Sequence, residues 1–510
     1  MKLFTTEDIR AIERDSITAD GITARTLIER VANAAATEIA ARWRPTKRTI
    51  VFAGPGNNGA DALATAIRLI ERGFKPIIYL FNIGGNSIKN ECIQYRNAFR
   101  NNLPDTEFHE IINAFNTPEL GPADLVIDGL FGSGLREPLT GGFMALVRYI
   151  NESGAQVVSL DIPSGMFADW EKQSPSRDII KAKLTLAVQF PRTAFFFPER
   201  AELVGQWKIL DIGLSQDAAE RTKSTFHLVE AAEVRNLLRQ RPKFCSKKDF
   251  GSALIIAGRF GMCGAATLAC KGALRSGAGK VTLFAPQCAF QIAQTAVPEA
   301  MFDADDNKIM LSQIQPTHTH NAFGIGPGIG TSDTTIAAVG AFLKTAKSSL
   351  VIDADALNCI AKRPELLNHL PLLTILTPHA GEFDRLFGEH QSQEDRVKKA
   401  LEIAKYYNIL IILKGHYTTL IRPDGKVYIN STGSPAMATP GSGDVLTGIL
   451  TSLIAQGYKP EVSAIIATYI HGRAGEMAAE VHGEYGVTAS DIADCVGKAI
   501  AEIMRPVSLD

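Results

Sequence analysis

Residues 430–448 read NSTGSPAMATPGSGDVLTG, and this stretch decides how the C-terminal half folds. A strand-like run, Lys426 to Ile429, enters it, and the helical pattern VLTGILTSLIAQG leaves it. Between them Gly441, Ser442 and Gly443 put bare backbone N–H groups at a helix N-terminus. Unsatisfied donors and the positive end of the helix dipole favour an anion there. Asp444 stands where the helix begins. A carboxylate beside an anion site repels phosphate unless it has work of its own, such as taking a proton from a hydroxyl. An acidic residue stabilising its own helix is the simpler reading of an isolated GxGD. The length of this segment favours the chemical one.

Outward from it, the C-terminal half alternates strands and helices. SALIIAG is a buried strand and GAATLACKGALRSGAG a small-residue helix. Strand signals recur at Lys280–Phe284, Ala322–Ile325, Ser349–Ile352, Leu373–Leu376 and Leu410–Leu413. YTTLIRPDGKVYIN reads as a hairpin with an Asp424-Gly425 turn. The N-terminal half opens with helical periodicity (Ile9, Ile12, Ile17, then Leu27, Val31, Ala35, Ile39). RTIVFAGPGNNGADALATAIRLIERG then predicts a strand over Ile50–Ala53, a turn over Gly54–Gly59 and a helix over Asp61–Arg72. Further strands are expected at Pro76–Phe81, Asp124–Asp128 and Gln156–Asp161. Such alternation implies parallel βαβ units with a ligand crevice at the strand C-terminal ends. A weakly patterned stretch, Leu214 to Lys248, separates the halves and includes an expected helix over Glu230–Arg239. The boundary is set near residue 224, giving two α/β domains, 1–223 and 224–510.

Composition narrows the class. A chain of 510 residues suggests roughly two to four domains. Its formal net charge of −1 gives no electrostatic case for nucleic acid or an anionic membrane. The seven cysteines are scattered, odd in number and without a CxxC, which points to reduced thiols. MKLFTTEDIRAIERD has acidic residues where a signal peptide needs an apolar core, and no apolar run reaches transmembrane length. A cytoplasmic protein with neither nucleic-acid nor membrane partners is expected.

Three polar segments fall at strand ends of the first half: GPGNNGAD, DGLFGSGL and LDIPSG. The amides of Asn57 and Asn58, next to Asp128, suit a weakly hydrated cation. Pro163, Ser164 and Gly165 form a turn that holds the Asp161 carboxylate in the crevice. Turn capping or a salt bridge is the alternative for each aspartate. In the second half His379 follows a strand in PHAGEF, and Lys414 ends an apolar strand beside Gly415. His318 and His320 are read as solvated, not as metal ligands.

With KAKLTLAVQF, these segments of the first half resemble the YjeF N-terminal domain, an NAD(P)H-hydrate epimerase with a Rossmann-like doubly wound sheet. The resemblance implies potassium at Asn58, Asp128 and Ser164. It implies substrate contacts at Asn57, Asn58, Gly59, Ala60 and Asp61, and at Gly132, Ser133, Gly134, Leu135, Arg136, Glu137 and Pro138. Asp161 becomes a substrate contact and the candidate for proton transfer. Ala60 and Ala62 stand where the family has glycine.

The second half resembles the ADP- or ATP-dependent NAD(P)H-hydrate dehydratase of the ribokinase-like superfamily. The resemblance rests on FGSALIIAGRFGMCGAATLA, GIGPGIGT, LVIDADALN, TILTPHAGEFDRL, ILKGHYTTLI, the 430–448 segment and GVTASDIA. It implies substrate contacts at Ala266, Gly326, His379 and Asp444. The nucleotide, ADP or ATP with magnesium, is expected at Lys414, Gly415, His416, Tyr417, Thr418 and Gly443. SKKDFG, Arg259 and Pro440 depart from the family pattern, and Pro440 removes one backbone donor from the anion loop.

The resemblance makes Asp444 the base that activates a ring hydroxyl for phosphorylation, after which elimination restores the dihydropyridine. It implies a homo-oligomer acting on NADHX and NADPHX, epimerising one form and dehydrating the other. A small-molecule kinase fused to a non-catalytic nucleotide-binding domain is the other reading, since fold does not fix function.

Overall fold

The computed structural model describes residues 1–170 and 175–505; the last five residues of the expected C-terminal domain lie outside it. The chain divides into two compact units, Lys2–Ser224 and Thr225–Asp510.

The first unit opens with α1 (Thr6–Asp20), started by a capping box between Thr5 and Asp8, and α2 (Ala24–Arg42). The apolar stripe Leu27, Ile28, Val31, Ala35 and Ile39 of α2 is buried and packs towards α3 (Asn57–Ile70). Seven strands follow: β1 (Thr49–Ala53), β2 (Pro76–Phe81), β3 (Phe108–Ile111), β4 (Leu125–Gly129), β5 (Gln156–Leu160), β6 (Leu184–Val188) and β7 (Gln206–Leu210). They pair in the order β3-β2-β1-β4-β5-β6-β7, parallel throughout. The order reverses between β1 and β4, the switch point where a doubly wound sheet opens a crevice.

One expectation fails here. Helix α3 begins at Asn57, with Gly56 as its N-cap, and not at Asp61. Gly59 explains the early start: a Cβ there would stand 1.8 Å from the Gly54 carbonyl oxygen, so the chain must turn into the helix directly against the end of β1. Asn57 and Asn58 are therefore first-turn residues.

In the second unit ten strands are described: β8 (Phe226–Val229), β9 (Ser252–Ile256), β10 (Lys280–Pro286), β11 (Met301–Asp305), β12 (Ala322–Ile325), β13 (Leu350–Ile352), β14 (Ile375–Leu376), β15 (Leu410–Leu413), β16 (Thr419–Ile421) and β17 (Val427–Asn430). Their order is β8-β17-β16-β15-β14-β13-β12-β9-β10-β11. Pairing is parallel except at β16, antiparallel to both neighbours; the Asp424-Gly425 turn closes its hairpin with β17. The expected helix over Glu230–Arg239 is shorter, α4 (Ala231–Leu237), with Glu230 as its N-cap. Helix α5 (Cys263–Arg275) crosses α7 (Ser442–Ala455) closely, because a Cβ at Gly448 would lie 1.9 Å from the Ala269 carbonyl oxygen. Residues Val445 to Ala455 are buried without interruption, so α7 is a central helix with only its N-terminus free for chemistry. Two further helices matter below: α6 (Ala380–Phe387) and α8 (Pro460–His482).

Candidate functional site

Each unit carries a cavity at the C-terminal ends of its strands. The first, of about 600 Å³, lies over the β1/β4 switch point. Asp161 follows β5 in the left-handed region, φ +65°. That strain for a non-glycine residue aims its carboxylate across the crevice. Oδ2 accepts from Ser133 N–H at 2.8 Å, and Oδ1 accepts from Arg192, a guanidinium buried with it. Asp61 and Glu13 line the same cavity. Burial raises the Asp61 pKa well above the usual carboxylate range, with the charges of Asp161 and Glu13 adding to it. Burial also raises Glu13, against the pull of Arg192.

Asp128 is fully buried at the end of β4. It accepts from Ser159 Oγ, Ser164 Oγ, Ser164 N–H and Leu130 N–H. Asn58 is buried with its amide against Gly132, close to the Asp161 carboxylate, and neither Oδ1 nor Nδ2 has a hydrogen-bond partner among the described residues. A buried amide oxygen left without a donor fits a weakly hydrated cation.

Of the residues expected at this site, Asn57, Asn58, Asp61, Gly132 to Arg136 and Asp161 line the cavity. Gly59 and Ala60 are buried on the sheet side of α3, and Glu137 and Pro138 lie outside the lining. The Ala60 and Ala62 methyls do not narrow the pocket either. Gly129 makes room for Ala62: a Cβ at 129 would stand 2.3 Å from the Ala62 methyl.

The second unit's cavity, of about 760 Å³, runs from His379 and Lys414 to the N-terminus of α7. Lys414 Nζ lies 2.8 Å from Asp353 Oδ1 and 3.7 Å from Glu382 Oε2. Asp353 Oδ2 also accepts from Thr447 Oγ1 at 2.8 Å, tying the β13 end to α7. Burial opposes the lysine's charge, but Asp353, Glu382 and Asp444 together raise its pKa. Asp444, half-buried at the start of α7, is pushed up to about 7, first by burial and then by Asp353, with Lys414 restraining it. A carboxyl titrating near neutrality suits a general base.

His379 is the N-cap of α6, its Nδ1 accepting from Gly381 N–H at 3.1 Å and Glu382 N–H at 3.3 Å. That puts the ring proton on Nε2, which stands 3.5 Å from Glu382 Oε1. Gly415, His416, Thr418 and Gly443 line the cavity, whereas Tyr417 does not. Asp444, Ala266 and Gly326 also lie off this lining, Asp444 directly after the lining residue Gly443; Gly326, at φ +133°, sits against the Asp353 backbone, where a Cβ would be 1.8 Å from its carbonyl oxygen. Pro440 precedes the helix and its N-cap Gly441, so the donor it lacks is not one of the helix-terminal ones. His318 is exposed as expected, but His320 is half-buried and bonds Ser252 Oγ at 2.9 Å.

Sequence reading missed Arg192, Glu13, Asp353, Glu382 and His471. The last, on α8, is buried, bonds Ser442 Oγ at 3.2 Å and is held neutral by burial, its pKa lowered to about 4. Asp353 alone had a usable signal, its place at a strand end in LVIDADALN.

The family described as NAD(P)H-hydrate dehydratase matches residues 253–498, and that of the YjeF-related protein N-terminus matches residues 24–194. The bifunctional NAD(P)H-hydrate repair enzyme Nnr of Moorella thermoacetica is 34% identical, covering 88% of this chain and 86% of its own. The Coxiella burnetii enzyme of the same name is 33% identical over 96% and 97%. Among solved structures, the Bacillus subtilis ADP/ATP-dependent NAD(P)H-hydrate dehydratase co-crystallised with ATP/Mg2+ is 32% identical, with a TM-score of 0.48 over 54% of this chain and 97% of that one. Among the described residues no helix is long and apolar enough to cross a membrane.

Proposed function

The chain belongs to the family of bifunctional NAD(P)H-hydrate repair enzymes, and from that membership we propose how its two cavities divide the work. The enzyme interconverts R- and S-NAD(P)H hydrate and dehydrates the S form to NAD(P)H at the expense of ADP or ATP. The single observation that carries the dehydratase assignment is the placement of Asp444 in the first turn of α7, next to Gly443 and close to the Lys414–Asp353 ion pair.

In this reading Asp444 takes the proton of the hydroxyl on ring carbon 6 as its oxygen attacks the terminal phosphoryl group. The backbone N–H of Gly443 and the charge of Lys414 meet the developing negative charge. Phosphate then leaves carbon 6, a proton leaves carbon 5, and the dihydropyridine double bond returns. His379, on the cavity wall, contacts the substrate, and Lys414, Gly415, His416 and Thr418 flank the nucleotide. Magnesium is assigned to the nucleotide's phosphates, which it binds while keeping several waters.

In the first unit Asp161 carries the proton traffic that accompanies inversion at carbon 6. Potassium would be held by Asn58, Asp128 and Ser164, where its charge would orient the loop after β4 against the substrate. The seven unpaired cysteines support a reducing compartment, so the enzyme is assigned to the cytoplasm. Following the resemblance, it is assigned as a homo-oligomer.

A racemic hydrate supplied with ADP or ATP, magnesium and potassium tests the whole reading. Complete recovery as NAD(P)H is expected. Recovery of half would mean that the first unit does not epimerise, and a stable phosphorylated product would mean a kinase.

A further inference from the structure

Arg192 lies outside every motif that identifies the first unit, yet its side chain is among the most confined in the cavity. It is 3% exposed, and one of its nitrogens binds Asp161 Oδ1. Its Nε and Nη1 are buried with no hydrogen-bond partner among the described residues. Buried N–H groups of a guanidinium are costly to leave unmade, so two of them at a cavity wall call for an oxygen that arrives with the ligand.

The same guanidinium sorts the carboxyl groups around it. Asp161 has the ion pair and the Ser133 N–H. Asp61 and Glu13, on the same cavity wall, have no ion pair and no side-chain hydrogen bond among the described residues. Resting on the epimerase reading above, we propose that Arg192 assigns the acid and the base of this site: it fixes Asp161 as the carboxylate base, leaves Asp61 as the protonated acid, and gives its two orphaned nitrogens to a substrate oxygen. Burial raises Asp61 first; the titratable groups facing it are the acidic Asp161 and Glu13, with Cys92 and Tyr95 of the helix over Asn90–Asn102. Those facing Glu13 are Arg10, Arg14, Arg192 and Asp161.

The step balances without an oxidant. Asp61 gives its proton to the hydroxyl on ring carbon 6, the C–O bond breaks, and water leaves with the electron pair. The ring nitrogen's lone pair forms the C=N bond of a cationic ring. Water then adds to the other face, Asp161 takes its proton, and the C=N pair returns to nitrogen. A proton passed from Asp161 to Asp61 through solvent resets the pair.

The test uses the full-length enzyme and a single separated epimer, following interconversion against pH without ADP or ATP. R192M should lower kcat about a hundredfold and move the acid limb of its profile to higher pH, because the base loses its cation. R192K, which keeps the charge but not the fork, should retain the acid limb and raise KM. D61N should lower kcat by a similar factor and lose the basic limb. The inference is overturned if D61N or R192M keeps the parental kcat and profile. Should R192M fail to fold, R192K decides alone, since parental kcat and KM there would mean that the orphaned nitrogens touch no substrate. A parent that does not interconvert the epimers overturns the epimerase reading itself, a result distinct from these.

Discussion

Lys414 Nζ and Asp353 Oδ1 stand 2.8 Å apart, and Thr447 Oγ1 bonds the other oxygen of the same carboxylate at 2.8 Å. One buried aspartate thus joins the ends of β13 and β15 to the first turns of α7. Burial pushes the Asp444 pKa up, as do Asp353, Asp355 and Glu382, and the lysine's charge pulls it down. Lys414→Met should therefore raise the Asp444 pKa above its present value of about 7. The dehydration rate, which needs the ionised carboxylate, should fall at pH 7 and reach half its plateau at higher pH. A kcat–pH profile checks this, and an unmoved midpoint would separate the lysine from the base.

Asp444 itself gives a prediction with a sign in both activity and stability. Its folded pKa of about 7 is raised above the ordinary carboxylate value. The folded protein therefore holds that proton more tightly than the unfolded chain does. The associated stability is present at pH 4 and is lost as pH rises through 7. Asp444→Asn removes the penalty of burying the charge, so its Tm should exceed the parent's at pH 8 and approach it at pH 4. Dehydration should fall by about 10²- to 10⁴-fold. Parental activity in this variant would end the assignment of the base.

How much of this was legible beforehand follows from where the signal sits. Strand ends and helix starts carrying Gly, Asp and Asn are local features; Asp128, Asp161 and Lys414 fall at strand ends and Asp444 in the first turn of α7. Arg192 and His471 act through neighbours that are distant in sequence: Asp161 lies 31 residues from the first, and Ser442 lies 29 from the second. No periodicity or motif encodes such pairs. The start of α3 was misplaced because Asn and Gly are turn formers in isolation, and only packing of Gly59 on Gly54 overrides that preference. That Ala62 is accommodated could not be read locally, because its partner Gly129 lies at the end of β4, distant in sequence from α3.

That accommodation is testable as a pair. Gly129→Ala would bring a methyl to 2.3 Å from the Ala62 methyl and 3.1 Å from the Asn58 carbonyl oxygen, forcing α3 off the sheet. A loss of about 1–3 kcal/mol in the first unit's unfolding free energy is expected from such overpacking. Adding Ala62→Gly should restore part of it, leaving a coupling energy of about 0.5–3 kcal/mol in a double-mutant cycle. Strict additivity would mean that the two residues do not share the contact.

The orphaned amide of Asn58 bears on the cation. Its Oδ1 is buried without a partner among the described residues, and Asp128 and Ser164 form a fully buried pair of their own. A weakly hydrated monovalent ion satisfies the oxygen and offsets the Asp128 charge, whose pKa burial now raises despite the Ser164 hydrogen bonds. Epimerisation, and the Tm of the first unit, should therefore rise with potassium and much less with lithium, which holds its water more strongly. Asn58→Leu keeps the volume and removes the ligand. It should abolish the potassium-dependent Tm shift even where no catalysis is measured, so binding and turnover are scored separately. An equal shift with potassium in parent and variant would leave the amide without a ligand and return Asn58 to a structural role at the start of α3.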